Sequence, residues 1–210
     1  MKTIDFYLDF ISPYAYLAFE ELPRALTGLS YRVVHKPLLF AGLLKHHGQL
    51  GPAEIAAKRD WTYRQVLWLA HERGVPMQMP ASHPFNPLPY LRLALACSED
   101  GQPNRYVCET VFHALWRGGR DAADAAVLTA VAQRLAPRLE PGSEAVKTRL
   151  REHTEQALAR GVFGVPSFVV DGRVFWGLDA LPMLRAHLQG DAWLAAHWDA
   201  PSRVAVGVRR

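Results

Sequence analysis

The chain has 210 residues, of which 50% are hydrophobic and 21% charged. At roughly 150 residues per domain this is one domain or two, and the composition excludes disorder through the bulk of the chain. Lys and Arg outnumber Asp and Glu by 24 to 20, a net charge of +4. The basic residues are scattered, which argues against nucleic acid as a partner and suits a small acidic substrate.

Two cysteines, Cys97 and Cys108, are too few for a disulfide scaffold, so a reducing compartment is expected. The opening MKTIDFYLDF puts Asp5 and Asp9 where a secretion signal needs an apolar core. No apolar run approaches the ~20 residues that span a bilayer. The expectation is a cytoplasmic protein without a membrane partner.

Residues 3–10 alternate well enough for a strand with a buried face. Ile11-Ser12-Pro13 follows, with Ser12 suited to cap a helix and Pro13 to be its first residue. That helix is predicted over 13–26, ending near Gly28, and 30–35 reads as a second strand. The middle is helical: 53–73, then an ordered proline-rich connector over 75–90, then helices at 88–98, 104–117, 122–135 and 143–160. Strand signals return at 166–171 and 173–176 around the turn pair Asp171-Gly172. A last helix fits 179–188, and 199–210 reads as a mobile tail.

The order β-α-β, helical block, β-β-α is a thioredoxin-like fold carrying a large helical insertion. The boundaries expected are 1–36 with 160–192 for the discontinuous thioredoxin-like domain, 37–159 for the insertion, and 193–210 for the tail.

Four segments carry a family resemblance: DFISPYAYLAFEEL at 9–22, KPLLFAGLLKHHGQLGPAEIAAKRDWTYRQ at 36–65, HPFNPLPYLRLAL at 83–95 and ARGVFGVPSFVVDGRVFWGLDAL at 159–181. Together they resemble the 2-hydroxychromene-2-carboxylate isomerase family. That family is close to the kappa-class glutathione transferases and lies within the DsbA-like thioredoxin superfamily. The resemblance spans about residues 3–190.

A thioredoxin-type redox protein has Cys-x-x-Cys where this chain has Ser12-Pro13-Tyr14-Ala15, so disulfide exchange is excluded there. A hydroxyl at a helix N-terminus can still donate to an anion, and the helix dipole favours negative charge at the same point. The resemblance implies that the anion is the thiolate of bound glutathione, held by Ser12 beside Pro13 and Tyr14, with its pKa lowered. On its own, Ser12 is equally an ordinary N-cap worth ~1 kcal/mol. Pro166 could be a plain trans proline at a strand start. The resemblance implies a cis Val165–Pro166 bond that offers the Val165 backbone to an extended glutathione. Leu178 and Asp179 correspond to the position that takes the γ-glutamyl end in kappa-class relatives. Those relatives often carry Ser-Asp, so Leu178 can offer only its backbone. Gln49 stands where they carry an Asn, one methylene shorter.

For the carboxylate of an aromatic substrate the candidates are Lys36, Lys45, Lys58, Arg59, Asn86 and Arg92. Each taken singly is more ordinary as a solvated group. Trp61, Tyr63 and Trp68 have helical spacing and are expected in the core. No His or Cys spacing typical of zinc is present, and the two cysteines read as buried free thiols.

The resemblance implies a glutathione-dependent isomerase that interconverts 2-hydroxychromene-2-carboxylate and trans-o-hydroxybenzylidenepyruvate by transient addition of the glutathione thiolate, with Ser12 stabilising that thiolate. It also implies a homodimer joined through the helical block. Two rivals stay open: a kappa-like transferase or peroxidase acting on another electrophile, and a non-catalytic binding module on the same scaffold.

Overall fold

The computed structural model describes residues 1–205 and 207. Four strands form one sheet: β1 (Lys2–Leu8), β2 (Tyr31–Pro37), β3 (Ser167–Val170) and β4 (Arg173–Trp176), in the order β2-β1-β3-β4. β1 pairs parallel with β2 and antiparallel with β3, with Tyr7 opposite both Lys36 and Ser167. Both ends of the chain therefore build one sheet, and the central strand β1 is buried on both faces. Ile4, Phe6 and Leu8 join the larger cluster, and Tyr7 joins the smaller one with Leu38, Leu43, Ala157, Val162 and Val169. Pro37 is tolerated because β2 is an edge strand, where a missing donor breaks no ladder.

Between β1 and β2 runs α1 (Pro13–Ala25). The segment between β2 and β3 is helical: α2 (Phe40–His47), a 3-10 turn at Pro52–Glu54, α3 (Ala56–Arg73), α4 (Leu88–Ala96), α5 (Arg105–Trp116), α6 (Ala125–Leu135) and α7 (Glu144–Ala159). After β4 come a 3-10 turn at Leu178–Ala180, α8 (Leu181–Leu188), α9 (Ala192–His197) and a 3-10 turn at Ala200–Arg203. The large cluster runs without interruption from the sheet through α1 into α4, α5 and α6. The helical segment and the sheet are thus held to each other by apolar burial.

Several details differ from expectation. β1 ends at Leu8, because the Leu8 carbonyl accepts from Leu38 N–H at 2.9 Å and the chain then turns. α2 was not predicted. Its N-cap residue, Leu39, offers no side-chain bond; instead Asp9 Oδ2, 31 positions away, accepts from Phe40 N–H at 2.8 Å. α9 falls in the stretch read as a tail. Asp191 caps it by accepting from Leu194 N–H at 2.7 Å, and Trp198 beyond it packs on Phe175 of the sheet with ring centroids 5.1 Å apart. Ala200–Arg203 is a turn of helix, and of the stretch 199–210 expected to be a mobile tail, 206 and 208–210 lie outside the described residues. Trp61 and Trp68 are 63% and 57% exposed rather than core, because α3 buries only a narrow stripe, with Val66 and Ala70 fully covered.

Candidate functional site at the start of the first helix

The loop from Asp9 to Ser12 carries the site, and its backbone polar groups find defined partners. Ser12 N–H donates to the Asp9 carbonyl at 3.0 Å, and the Ser12 carbonyl accepts from Tyr16 N–H at 3.1 Å, which starts α1. The Phe10 carbonyl accepts from Trp116 Nε1 at 2.9 Å, and the Ile11 carbonyl meets His83 Nε2 at 2.8 Å. Ile11 N–H donates to Asp9 Oδ1 at 3.2 Å. Asp9 is fully buried, and burial pushes its pKa up from 3.8 to about 7 against the pull of its backbone donors. Residues from α1, α2, α5 and the proline-rich connector thus fix four consecutive positions.

Ser12 is buried and caps α1: its Oγ accepts from Ala15 N–H at 3.2 Å. That bond uses a lone pair and leaves the hydroxyl proton uncommitted. Pro13 has no N–H. Among the described residues, the Tyr14 N–H has no acceptor. The N-terminus of α1 therefore presents two donors, the Ser12 O–H and the Tyr14 N–H, on a helix of 13 residues whose dipole favours an anion there. The Tyr14 hydroxyl turns aside to donate to Gln65 Oε1 of α3 at 2.5 Å.

Val165 and Pro166 precede β3, whose first residue, Ser167, pairs with Tyr7 near the end of β1. They stand at the end of the sheet from which the Ser12 loop departs. The Val165–Pro166 bond is cis. Among the described residues, neither the N–H nor the C=O of Val165 is engaged in a backbone hydrogen bond. The segment is anchored around that gap: Ser167 Oγ donates to the Gly164 carbonyl at 2.7 Å, and Gly177 N–H donates to the Pro166 carbonyl at 2.9 Å.

The second of these bonds ties the cis-proline loop to the turn that holds Leu178 and Asp179. Gly177 has φ +100°, a backbone conformation that residues with a side chain rarely adopt, so the turn favours glycine. Leu178 is buried, and Asp179 is exposed. Burial raises the pKa of the Tyr14 hydroxyl and the Asp179 carboxylate adds to the rise, so this turn and the start of α1 are electrostatic neighbours. Ser12, Pro13, Tyr14, Val165, Pro166, Leu178 and Asp179 thus converge from three separate segments.

The remaining candidates border this end unevenly. Gln49 is exposed just after Gly48, the left-handed residue that ends α2. Lys45 is exposed in the last turn of the same helix. Lys36 is half-buried on β2, and its charge helps lower the pKa of His153, an effect led by burial. Lys58 is exposed and Arg59 half-buried in the first turn of α3, where Arg59 acts on Tyr63. Asn86 Oδ1 accepts from Leu88 N–H at 3.1 Å, so its side chain is occupied in starting α4. Arg92 is half-buried on α4, and its charge is the smallest of the influences that lower the pKa of Glu144 at the start of α7, led by the hydrogen bond from Lys147.

Asp9, His83 and Trp116 are not among the candidate site residues, although Asp9 and His83 open two of the segments that carry the resemblance. Asp9 directly follows the buried run Phe6-Tyr7-Leu8 at the end of β1, a place where an unpaired acid is unusual. His83 and Trp116 carry no local signal. Cys108 is buried and Cys97 half-buried; burial raises both thiol pKa values, that of Cys97 to about 11. Among the described residues, no group of three or more His, Cys, Asp and Glu side chains is arranged to hold a metal ion, and no helix is long and apolar enough to cross a membrane.

Comparison with known proteins bears on this arrangement. Residues 3–189 match the DSBA-like thioredoxin domain. A 2-hydroxychromene-2-carboxylate isomerase of Sphingobium xenophagum is 31% identical over 194 residues, 89% of this chain and 98% of that protein. Glutathione S-transferase kappa 1 of Rattus norvegicus is 28% identical over 92% of this chain and 93% of its own length. A solved 2-hydroxychromene-2-carboxylate isomerase superposes with a TM-score of 0.75 at 23% identity, covering 96% of this chain and all of that one. The chain therefore belongs to the DSBA-like thioredoxin domain family, in the group that holds the 2-hydroxychromene-2-carboxylate isomerases and the kappa-class glutathione transferases.

Proposed function

We propose that this protein is a glutathione-dependent isomerase that interconverts 2-hydroxychromene-2-carboxylate and trans-o-hydroxybenzylidenepyruvate. One observation carries the reading: free donors at the start of α1 share one end of the sheet with the unpaired Val165 backbone and the Asp179 carboxylate. The chain's similarity to isomerases of that name supports it.

The residues present fit glutathione. The Ser12 O–H and Tyr14 N–H would face its sulfur, and the positive end of α1 adds to them, which lowers a thiol pKa. The Val165 N–H and C=O match the backbone of its cysteinyl residue, as an added strand would. Asp179 suits the α-amino group of the γ-glutamyl end, with Leu178 contributing backbone only. Gln49 is the amide candidate at the end of α2. Bound glutathione would supply a thiolate able to add reversibly to the enone that forms when the hemiketal ring C–O bond opens to a phenol and a ketone, which would free the former C=C bond to turn. Ser12 would hold the sulfur charge before addition and after expulsion, without becoming a nucleophile itself. The substrate carboxylate is assigned to the bordering cations Lys36, Lys45, Lys58 and Arg59, with Asn86 at their margin. Cytoplasmic location and a homodimer joined through the helical segment belong to the same reading, and light scattering tests the second.

The test is the absorbance change of 2-hydroxychromene-2-carboxylate mixed with the purified protein, with and without glutathione. Isomerisation only with glutathione is expected. No reaction in either case, with folded protein, overturns the reading. In that event a conjugate formed from glutathione and chlorodinitrobenzene would favour a transferase, a reading that the kappa-class similarity also supports. Failure to bind millimolar glutathione would favour a binding module.

A further inference from the structure

The peptide unit between Ile11 and Ser12 is held at both of its polar ends. Its N–H donates to the Asp9 carbonyl at 3.0 Å, and its C=O meets His83 Nε2 at 2.8 Å. A carbonyl only accepts, so Nε2 carries the proton and donates. Nδ1 of the neutral ring then has a lone pair, and the Tyr63 hydroxyl lies 2.7 Å from it and 2.8 Å from the carbonyl of His83 itself. The ring is also wedged edge-on between Tyr63 and Phe85, with centroids 5.4 and 5.8 Å away, and rests against Trp116 at 5.5 Å. Its place, rotation and tautomer are therefore all determined by neighbours. Burial lowers the His83 pKa, which agrees with a neutral ring.

This peptide unit sets where Ser12 points. Ser12 is the N-cap, extended at φ −88° and ψ 115°, while the next residue is already helical. A turn of the Ile11–Ser12 plane moves the Ser12 Cα–Cβ bond, and so its hydroxyl, relative to the helix start and to Val165.

We propose that His83, oriented by Tyr63 of α3, is a positioning residue that latches the Ile11–Ser12 peptide and thereby aims the Ser12 hydroxyl. The proposal rests on the reading of Ser12 as the donor to a bound thiolate. It adds a role for the helical segment, whose α3 would influence chemistry at the start of α1 through one imidazole.

Three variants test it, each read in two ways. His83→Leu removes the donor, His83→Gln keeps an N–H able to reach the carbonyl, and Tyr63→Phe removes only the hydroxyl that orients the ring. The first measurement is hydrogen exchange of the Ser12 amide in the protein alone. The second is kcat and KM for glutathione-dependent isomerisation, with the ultraviolet absorbance of the bound thiolate followed across pH. In His83→Leu the Ser12 amide should lose protection and the bound thiol titrate higher. Its kcat should fall roughly ten- to a hundredfold while KM for glutathione stays within about twofold, as expected for a misaimed group. His83→Gln should recover most of the loss, and Tyr63→Phe should show a smaller loss of the same kind. Unchanged exchange and kcat in His83→Leu would overturn the proposal. So would a His83→Gln variant as impaired as His83→Leu, since the ring would then only fill space. If His83→Leu does not fold, Tyr63→Phe carries the test, and wild-type values there would overturn it. A wild-type protein with no glutathione-dependent turnover would refute the functional reading instead, and the Ser12 exchange data would still decide whether the latch exists.

Discussion

Replacing Ser12 separates its two possible contributions, because capping and donation use different parts of the hydroxyl. As a cap, Ser12 Oγ accepts from Ala15 N–H at 3.2 Å in a buried position. Loss of such a cap to alanine costs about 1 kcal/mol, and to glycine only a few tenths. For a chain of 210 residues, about 1 kcal/mol lowers Tm by roughly 2–4 °C. As a donor, the hydroxyl proton would bond an anionic sulfur, and a hydrogen bond to a charged group contributes about 1.5–3 kcal/mol. Its loss should raise the pKa of the bound thiol by roughly one to two units. Ser12→Ala should therefore lose both stability and turnover, while Ser12→Gly should lose turnover to the same degree and keep nearly all of its stability. The assay pairs thermal unfolding with the thiolate absorbance of bound glutathione and the isomerisation rate. Turnover that follows stability, with Ser12→Gly close to wild type, would refute a donor role and leave Ser12 as a cap.

Other expectations come from the same region. Burial raises the Asp9 pKa from 3.8 to about 7, so the folded state holds this proton more tightly than the unfolded chain. Its contribution is complete below about pH 4 and is lost as pH rises through about 7; a shift of that size is on the order of 4 kcal/mol. Urea unfolding across that window should show the wild type losing stability relative to Asp9→Asn as pH rises, and parallel profiles would sink the assignment. Trp116→Phe leaves the Phe10 carbonyl without its 2.9 Å donor in the core. It should destabilise by about 1–3 kcal/mol, more if a cavity remains; denaturant midpoints within a few tenths of wild type would contradict this. Asp179 is exposed, so Asp179→Asn should weaken glutathione binding only modestly, roughly three- to tenfold by calorimetry, with kcat preserved. A large loss of kcat would mean that this carboxylate acts on the chemistry.

The order of elements was legible in the sequence because its signals are local. Alternating apolar residues mark β1, the Ser12-Pro13 pair starts α1, and Asp171-Gly172 turns β3 into β4, each within a few positions. The same segments carry the motifs that reveal the family, so Ser12, Pro166 and Asp179 could be named in advance. The tertiary structure alone decided what holds them. α2 begins on a carboxylate 31 residues earlier, so no window around Phe40 contains its cap. Trp61 and Trp68 have core spacing but lie on the side of α3 that stays exposed among the described residues. His83 and Trp116 reach the Ser12 loop across 72 and 106 positions. Apolar periodicity reports only whether a residue faces inward. Which carbonyl an inward imidazole or indole meets depends on how distant segments pack, and that packing determines how Ser12 is held.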